Sequence, residues 1–264
     1  MIGAFIGDIA GSVFEFNNCK TKNFEIMGRQ NRFTDDSVMT AAVAEACLMY
    51  RRERDIESFR KNVIKSMRRL GRKYISAGYG GRFLQWLLDD DMEAYNSYGN
   101  GSAMRVSPVA YVADSLDEAE KLAEVSAEVT HNHPEGIKGA RAVAACVYMA
   151  LHGSDKHSMK EYIEREYYNI EFKLDDIREA YTFDVSCQGS VPQALEAFFE
   201  AEDFQDAIRN AISIGGDSDT IACIAGSIAG AFYGVPEELK EKAMDYIGGT
   251  ELAEIYNKFC RELS

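Results

Sequence analysis

Residues 215–231 read GGDSDTIACIAGSIAGA: two glycines and two aspartates, then a stretch from Ile221 to Ala231 in which every residue is apolar or small. A surface helix shows its apolar residues on one stripe, whereas a helix apolar on most faces lies inside a larger assembly of helices. Thr40 to Leu48 and Gly139 to Leu151 have the same character, with Gly and Ala permitting close approach of neighbours. Even carried on to Val235, the run is about one turn or more short of the ~20 residues that cross a bilayer. A buried helix is expected here, and no membrane span.

Outward from this stretch the helical period dominates. Val191, Ala194, Leu195, Phe198 and Phe199 fall at i, i+3, i+4, i+7 and i+8, and Leu116, Ala119, Leu122, Ala123 and Ser126 nearly repeat that pattern. Ser115 with Glu118 and Ser158 with Glu161 match a capping box, and Pro236 before Glu237 and Glu238 suits a first helical turn. No run of alternating β-branched and polar residues interrupts this. The spacing predicts about a dozen helices, roughly at 2–15, 35–51, 55–70, 82–89, 103–113, 115–130, 134–152, 158–167, 190–201, 203–213, 219–234, 237–247 and 250–262. The fold class is all-α, and residues 1–264 form one domain, since no linker-like segment or fixed-period repeat divides them.

The 264 residues include 43 Asp and Glu against 29 Lys and Arg, a formal net charge of −14. That balance disfavours an extended nucleic-acid surface or an anionic membrane surface, both of which need a basic face. The six cysteines are scattered without a CxxC pair, and the first residues show no basic leader region. A reducing, cytoplasmic setting without disulfides or a cysteine zinc site is expected.

Glycines outside the helices cluster at Gly78, Gly80 and Gly81, at Gly99 and Gly101, and at Gly215 and Gly216. Beside them stand two acidic groups, Thr34-Asp35-Asp36-Ser37 and Asp217-Ser218-Asp219-Thr220, each at the start of a helix too apolar for the surface. Asp and Thr at such positions cap free backbone N–H groups and complement the helix dipole. Two acids per start go further, because like charges about 4 Å apart repel by about 4 kcal/mol at an effective dielectric of 20. Converging carboxylates need protons or cations, and oxygen-only donors suit Mg²⁺ or Mn²⁺ rather than structural zinc. Capping and metal binding both remain open from spacing alone.

Five blocks together resemble the ADP-ribosylglycohydrolase family, which includes the dinitrogenase-reductase-activating glycohydrolases and the ADP-ribosylserine hydrolases. They are Gly7-Asp8-Ile9-Ala10-Gly11-Ser12-Val13-Phe14-Glu15, Phe33-Thr34-Asp35-Asp36-Ser37, Ser97-Tyr98-Gly99-Asn100-Gly101-Ser102-Ala103-Met104-Arg105, Thr130-His131 and Gly216-Asp217-Ser218-Asp219-Thr220. They occur in the family's order over nearly the whole chain. Ser37 stands where the family commonly has Thr, and the chain is short for the family.

The resemblance implies a compact orthogonal helical bundle around two Mg²⁺ or Mn²⁺ ions. It implies Thr34, Asp35, Asp36, Asp217, Asp219 and Thr220 as metal ligands, and Glu15 as the glutamate of proton transfer or water positioning, with Asp36 the other candidate for steering water. For substrate it implies Tyr98 stacking on adenine and His131 facing the distal ribose. The backbone of Ser97, Gly99 and Asn100 would serve a pyrophosphate, and Gly78, Gly80 and Gly81 a phosphate or ribose. Arg105 is either a structural tie or a phosphate ligand, and His133 has no assignment. The implied reaction is hydrolysis of the C1″ N- or O-glycosidic bond of an ADP-ribosylated protein or small molecule, releasing ADP-ribose. A non-catalytic ADP-ribose-binding module of the same fold is the alternative, and a Mg²⁺-dependent phosphoesterase a third.

Overall fold

A computed structural model describes residues 1–263. In chain order the helices are α1 (Ile2–Gly11), α2 (Asp35–Glu53), α3 (Ile56–Lys73), α4 (Gly81–Leu88), α5 (Gly101–Met104), a 3₁₀ turn (Ser107–Tyr111), α6 (Leu116–Glu128), α7 (Pro134–Leu151), α8 (Lys156–Glu166), α9 (Leu174–Ile177), α10 (Cys187–Phe199), α11 (Phe204–Ser213), α12 (Ser218–Phe232), α13 (Glu237–Ile247) and α14 (Glu251–Leu263). The extended pairing found among the described residues is one antiparallel bridge between Gly99 and Ser186. None of these helices is long and apolar enough to cross a membrane.

The centre of the molecule is the crossing of α1 on α12. Every residue of α1 is buried, and a Cβ on Gly3, Gly7 or Gly11 would lie 2.1 Å from Gly226 O, 2.0 Å from Ala222 O and 2.4 Å from Asp219 Cα. Glycines at i, i+4 and i+8 share one face of a helix, so the two backbones touch along that seam. The seam brings Asp8 of α1 beside Asp219 of α12.

Several expected boundaries move for visible reasons. Helix α1 stops at Gly11 instead of near 15, because Asn31 Nδ2 donates to the carbonyls of Ile9 (2.7 Å) and Ala10 (3.1 Å) and Ser12 Oγ donates to Ile9 O. Their satisfaction ends the helix and releases Glu15 into the following turn. The expected helix at 103–113 divides into α5 and the 3₁₀ turn, with Pro108 at the second turn's start, since proline has no N–H to donate back to the helix before it. Ser158 does not begin α8. Asp155 does, accepting from Ser158 N. The Ser115 cap on Glu118 N is as expected.

Candidate active site

The two acid-bearing helix starts meet across the α1–α12 seam. Thr34 is the N-cap of α2, with Asp35 and Asp36 in its first turn, while Asp217 is the N-cap of α12, with Asp219 in its first turn. Two triads of carboxylates result, each with ligand atoms within 4.8 Å of one another: Asp8, Asp36 and Asp219, and then Glu15, Asp217 and Asp219. Asp219 belongs to both.

These oxygens are not equally free. Asp8 Oδ2 accepts from Thr34 N (2.9 Å), Ser37 N (3.0 Å) and Ser37 Oγ, and its Oδ1 accepts from Thr34 Oγ1 at 2.6 Å. Asp8 is thereby saturated, and it fixes the start of α2. Thr34, having given its hydrogen to Asp8, keeps oxygen lone pairs beside Asp36 Oδ2, 3.4 Å away. Asn100 Nδ2 donates to Asp217 Oδ2 at 2.7 Å and to Ser190 Oγ at 3.0 Å, which orients Asp217. Asp36 Oδ1 is buried with no hydrogen-bond partner.

A buried carboxylate oxygen without a partner is costly. Burial, with the Asp219 charge beside them, pushes Asp35 and Asp36 well above the usual carboxylate range. Burial and Asp217 do the same to Asp219. Burial raises Asp217 to about 6 against the Asn100 hydrogen bond, and burial followed by Asp219 raises Glu15 to about 7. Left to themselves these acids take up protons. A hard divalent cation would reverse that, favouring the ionised forms and occupying the orphaned Asp36 oxygen. The all-oxygen donor set therefore fits Mg²⁺ or Mn²⁺.

The acids open into a cavity of about 540 Å³. Every residue expected to bind metal or substrate or to act in catalysis lines it except Thr34, which is buried. Tyr98 is 51% exposed at its rim, edge-on to His133 with ring centroids 5.3 Å apart. His133 itself caps α7, its Nδ1 accepting from Glu135 N. A Cβ on Gly80 or Gly81 would meet nothing within 4 Å, so the N-terminus of α4 faces open space. One expectation changes in detail: the Gly99 amide is engaged locally with Ser97 Oγ, and the Asn100 amide donates to Val185 O beside the bridge to Ser186. Arg105 is the tie of the two readings offered for it, fully buried and donating to the carbonyls of Gly101 and Ser126.

Two charged residues of the site escaped the sequence reading. Asp8 was visible as a charge interrupting an apolar helix. Arg82, on the cavity wall in the first turn of α4, is exposed, stands 5.1 Å from the Tyr95 ring centroid and has no carboxylate partner among the described residues. An arginine directly after two glycines at a helix start was the available signal.

Comparison with known proteins agrees with this fold. The mouse ADP-ribosylhydrolase ARH3 is 24% identical over 339 residues, covering 100% of this chain and 91% of the relative. The ADP-ribosylarginine hydrolase Tri1 of Pseudomonas putida (strain GB-1) is 30% identical over 154 residues, 54% of this chain and 42% of that protein. A solved structure described as an ADP-ribosylglycohydrolase-related protein complex superposes with a TM-score of 0.65 at 22% identity, covering 93% of this chain and 94% of that one, and so shares the fold. The sequence profile of the ADP-ribosylglycohydrolases matches residues 1–263, and the chain belongs to that family.

Proposed function

We propose that this protein hydrolyses the C1″ N- or O-glycosidic bond of ADP-ribosylated proteins or small molecules and releases ADP-ribose. The observation that carries this reading is the meeting of two acid-bearing helix starts and Glu15 in one cavity that is also lined by Tyr98 and His131. Thr34, Asp35, Asp36, Asp217, Asp219 and Thr220 would hold two divalent cations. Bound there, Mg²⁺ or Mn²⁺ would supply Lewis acidity toward ribose hydroxyls and a water, and would neutralise the clustered charge.

The chain's own residues supply the rest. Cleavage of the glycosidic bond develops positive charge on the ribose, which surrounding carboxylates stabilise. Water oxygen bonds to C1″, the bond to the acceptor atom breaks, one proton leaves the water and one reaches the acceptor. Glu15 is half-buried with its carboxylate in reach of Asp217 and Asp219, a place that suits it to exchange that proton or orient the water. Tyr98 offers an exposed ring face for adenine, and Asn100 holds Asp217 in place. A chain of net charge −14 repels an anionic ligand at long range. The α4 N-terminus and Arg82 supply the local attraction, since helix N-termini bind phosphates. The similarity to an ADP-ribosylarginine hydrolase makes arginine-linked substrates the first to try.

The test is ADP-ribose release from arginine- and serine-linked peptides with Mg²⁺ or Mn²⁺, repeated with Glu15→Gln and Asp217→Ala. Glu15→Gln should lower kcat by roughly a hundredfold or more while ADP-ribose still binds, the usual scale for removing a general acid or base. Undiminished turnover in both variants would sink the assignment. Tight ADP-ribose binding with no cleavage of any linkage would leave a binding module.

A further inference from the structure

His131 lines the cavity at the end of a chain of hydrogen bonds that runs from Arg105 through Thr130. Arg105 is fully buried, and no carboxylate lies within ion-pair distance of it among the described residues. Its guanidinium can only donate. One Nη1 hydrogen goes to Gly101 O at 3.0 Å, and Nη2 donates to Ser126 O at 2.9 Å and to Thr130 Oγ1 at 3.0 Å. Thr130 Oγ1 is therefore an acceptor toward Arg105 and still has its own hydrogen to place.

Thr130 is completely buried, and the one remaining group within hydrogen-bond distance of its hydroxyl is His131 Nδ1, 2.7 Å away. Were Nδ1 the donor, Oγ1 would accept twice and the hydroxyl hydrogen would be buried without an acceptor, a state native interiors avoid. The hydroxyl therefore donates to Nδ1. Burial, and then the Arg105 charge, lowers the His131 pKa well below the ordinary histidine value, so the ring is neutral. A neutral imidazole that accepts at Nδ1 carries its proton on Nε2.

Nε2 has no partner within the protein among the described residues, and His131 lines the cavity. Gly99 and Gly101 flank Nε2, and a Cβ on either would lie 3.4 Å from it. We propose that Arg105 and Thr130 are positioning residues that lock His131 in its Nε2–H form, making it a neutral, obligate hydrogen-bond donor to an oxygen acceptor of the bound ligand. This rests on the reading of the cavity as an ADP-ribose site only for the identity of that ligand.

The test begins without any ligand. Long-range ¹⁵N–¹H correlation spectra of the ¹⁵N-labelled full chain at neutral pH distinguish protonated from bare ring nitrogens, with His131 assigned by its loss in His131→Gln. The expected result is a bare Nδ1 and a protonated Nε2. Thr130→Val should give mixed tautomers and weaken ADP-ribose binding about tenfold in calorimetry, while Thr130→Ser, which restores the hydroxyl, should return both readouts to those of the wild type. A protonated Nδ1 in the wild type, or a Thr130→Val protein that folds with tautomer and affinity unchanged, overturns the relay. Should the wild type bind no ADP-ribose, the hydrolase reading fails separately, and the tautomer spectra decide the relay alone.

Discussion

Asp8 grips Thr34 with both carboxylate oxygens, Oδ2 accepting from the backbone N–H at 2.9 Å and Oδ1 from the hydroxyl at 2.6 Å. Helix α1 thus caps α2 from outside, and the cap is a buried anion at the positive end of the α2 dipole. The same contact directs the Thr34 hydrogen away from Asp36, so a residue outside the acid-bearing helix starts decides how one of them presents its oxygens.

Asp8→Asn should cost the fold about 2–4 kcal/mol, because hydrogen bonds to a charged acceptor are each worth ~1.5–3 kcal/mol and the new amide sets a donor against donors. Divalent-cation affinity should fall at least tenfold with the overall helix content intact, as outer partners of metal ligands commonly do when altered. Urea unfolding followed by circular dichroism, together with calorimetric Mn²⁺ titration, measures both. Wild-type cation affinity in a destabilised protein would show that the grip matters only to folding.

The raised acids give the cation-free protein an inverted pH response. A carboxyl whose folded pKa lies above its unfolded value stabilises the fold while protonated, and that contribution is lost as pH rises through the folded value. Asp217 and Glu15, raised to about 6 and about 7 by burial first, place part of this loss between about pH 4 and pH 7. Chelated protein should therefore show a falling Tm between pH 5.5 and pH 7.5, and added Mg²⁺ or Mn²⁺ should stabilise it more at the higher pH, where fewer protons must be displaced. A cation at a hundredfold excess over Kd contributes about 2.7 kcal/mol, or roughly 5–10 °C in a domain of this size. Scanning fluorimetry with chelator and with each cation reads this directly, and a chelated Tm that climbs with pH would contradict it.

What the sequence disclosed and what it hid divide along a physical line. Periodicity and caps are local, so the buried character of the helix after Asp219 and the paired acids at two helix starts were legible from residue order. Partners distant in the chain were not. Nothing in GAFIGDIAG says that Gly3, Gly7 and Gly11 face the backbone of α12, and without that seam Asp8 is only a charge in an apolar helix. The bridge from Gly99 to Ser186 likewise joins segments far apart, and it alone reveals that the Asn100 amide is already engaged, donating to Val185 O. Nor does residue order show that the Asn100 side chain donates to Asp217, more than a hundred residues on.

Two glycine substitutions should separate the seam from the cavity. A Cβ on Gly7 would lie 2.0 Å from Ala222 O, a backbone atom that cannot swing aside, so Gly7→Ala must part α1 from α12 and with them Asp8 from Asp219. Overpacking of that kind costs typically 1–3 kcal/mol or more, and cation binding should weaken with it. Gly80 has a negative φ of −59° and open space where its Cβ would be, so Gly80→Ala should fold with a wild-type Tm. The added methyl enters the cavity wall, and its effect should fall on ligand affinity. Equal Tm losses in the two variants would refute the direct backbone contact.

Arg82 offers the clearest test of how an acidic protein attracts an anionic ligand. Its side chain leaves the first turn of α4 on the cavity wall, held near the Tyr95 ring and paired with no carboxylate among the described residues. A charge-assisted contact to phosphate is worth about 1.5–3 kcal/mol. Arg82→Gln should therefore weaken ADP-ribose binding roughly tenfold to a hundredfold, and adenosine, which lacks the diphosphate, hardly at all. The loss should also shrink at high ionic strength, because an exposed charge is screened within a Debye length of about 10 Å at 0.1 M salt. Titrating both ligands into both proteins at low and high salt gives the four comparisons needed. Equal weakening toward ADP-ribose and adenosine would move Arg82 from the phosphates to the Tyr95 wall, with its contribution one of shape.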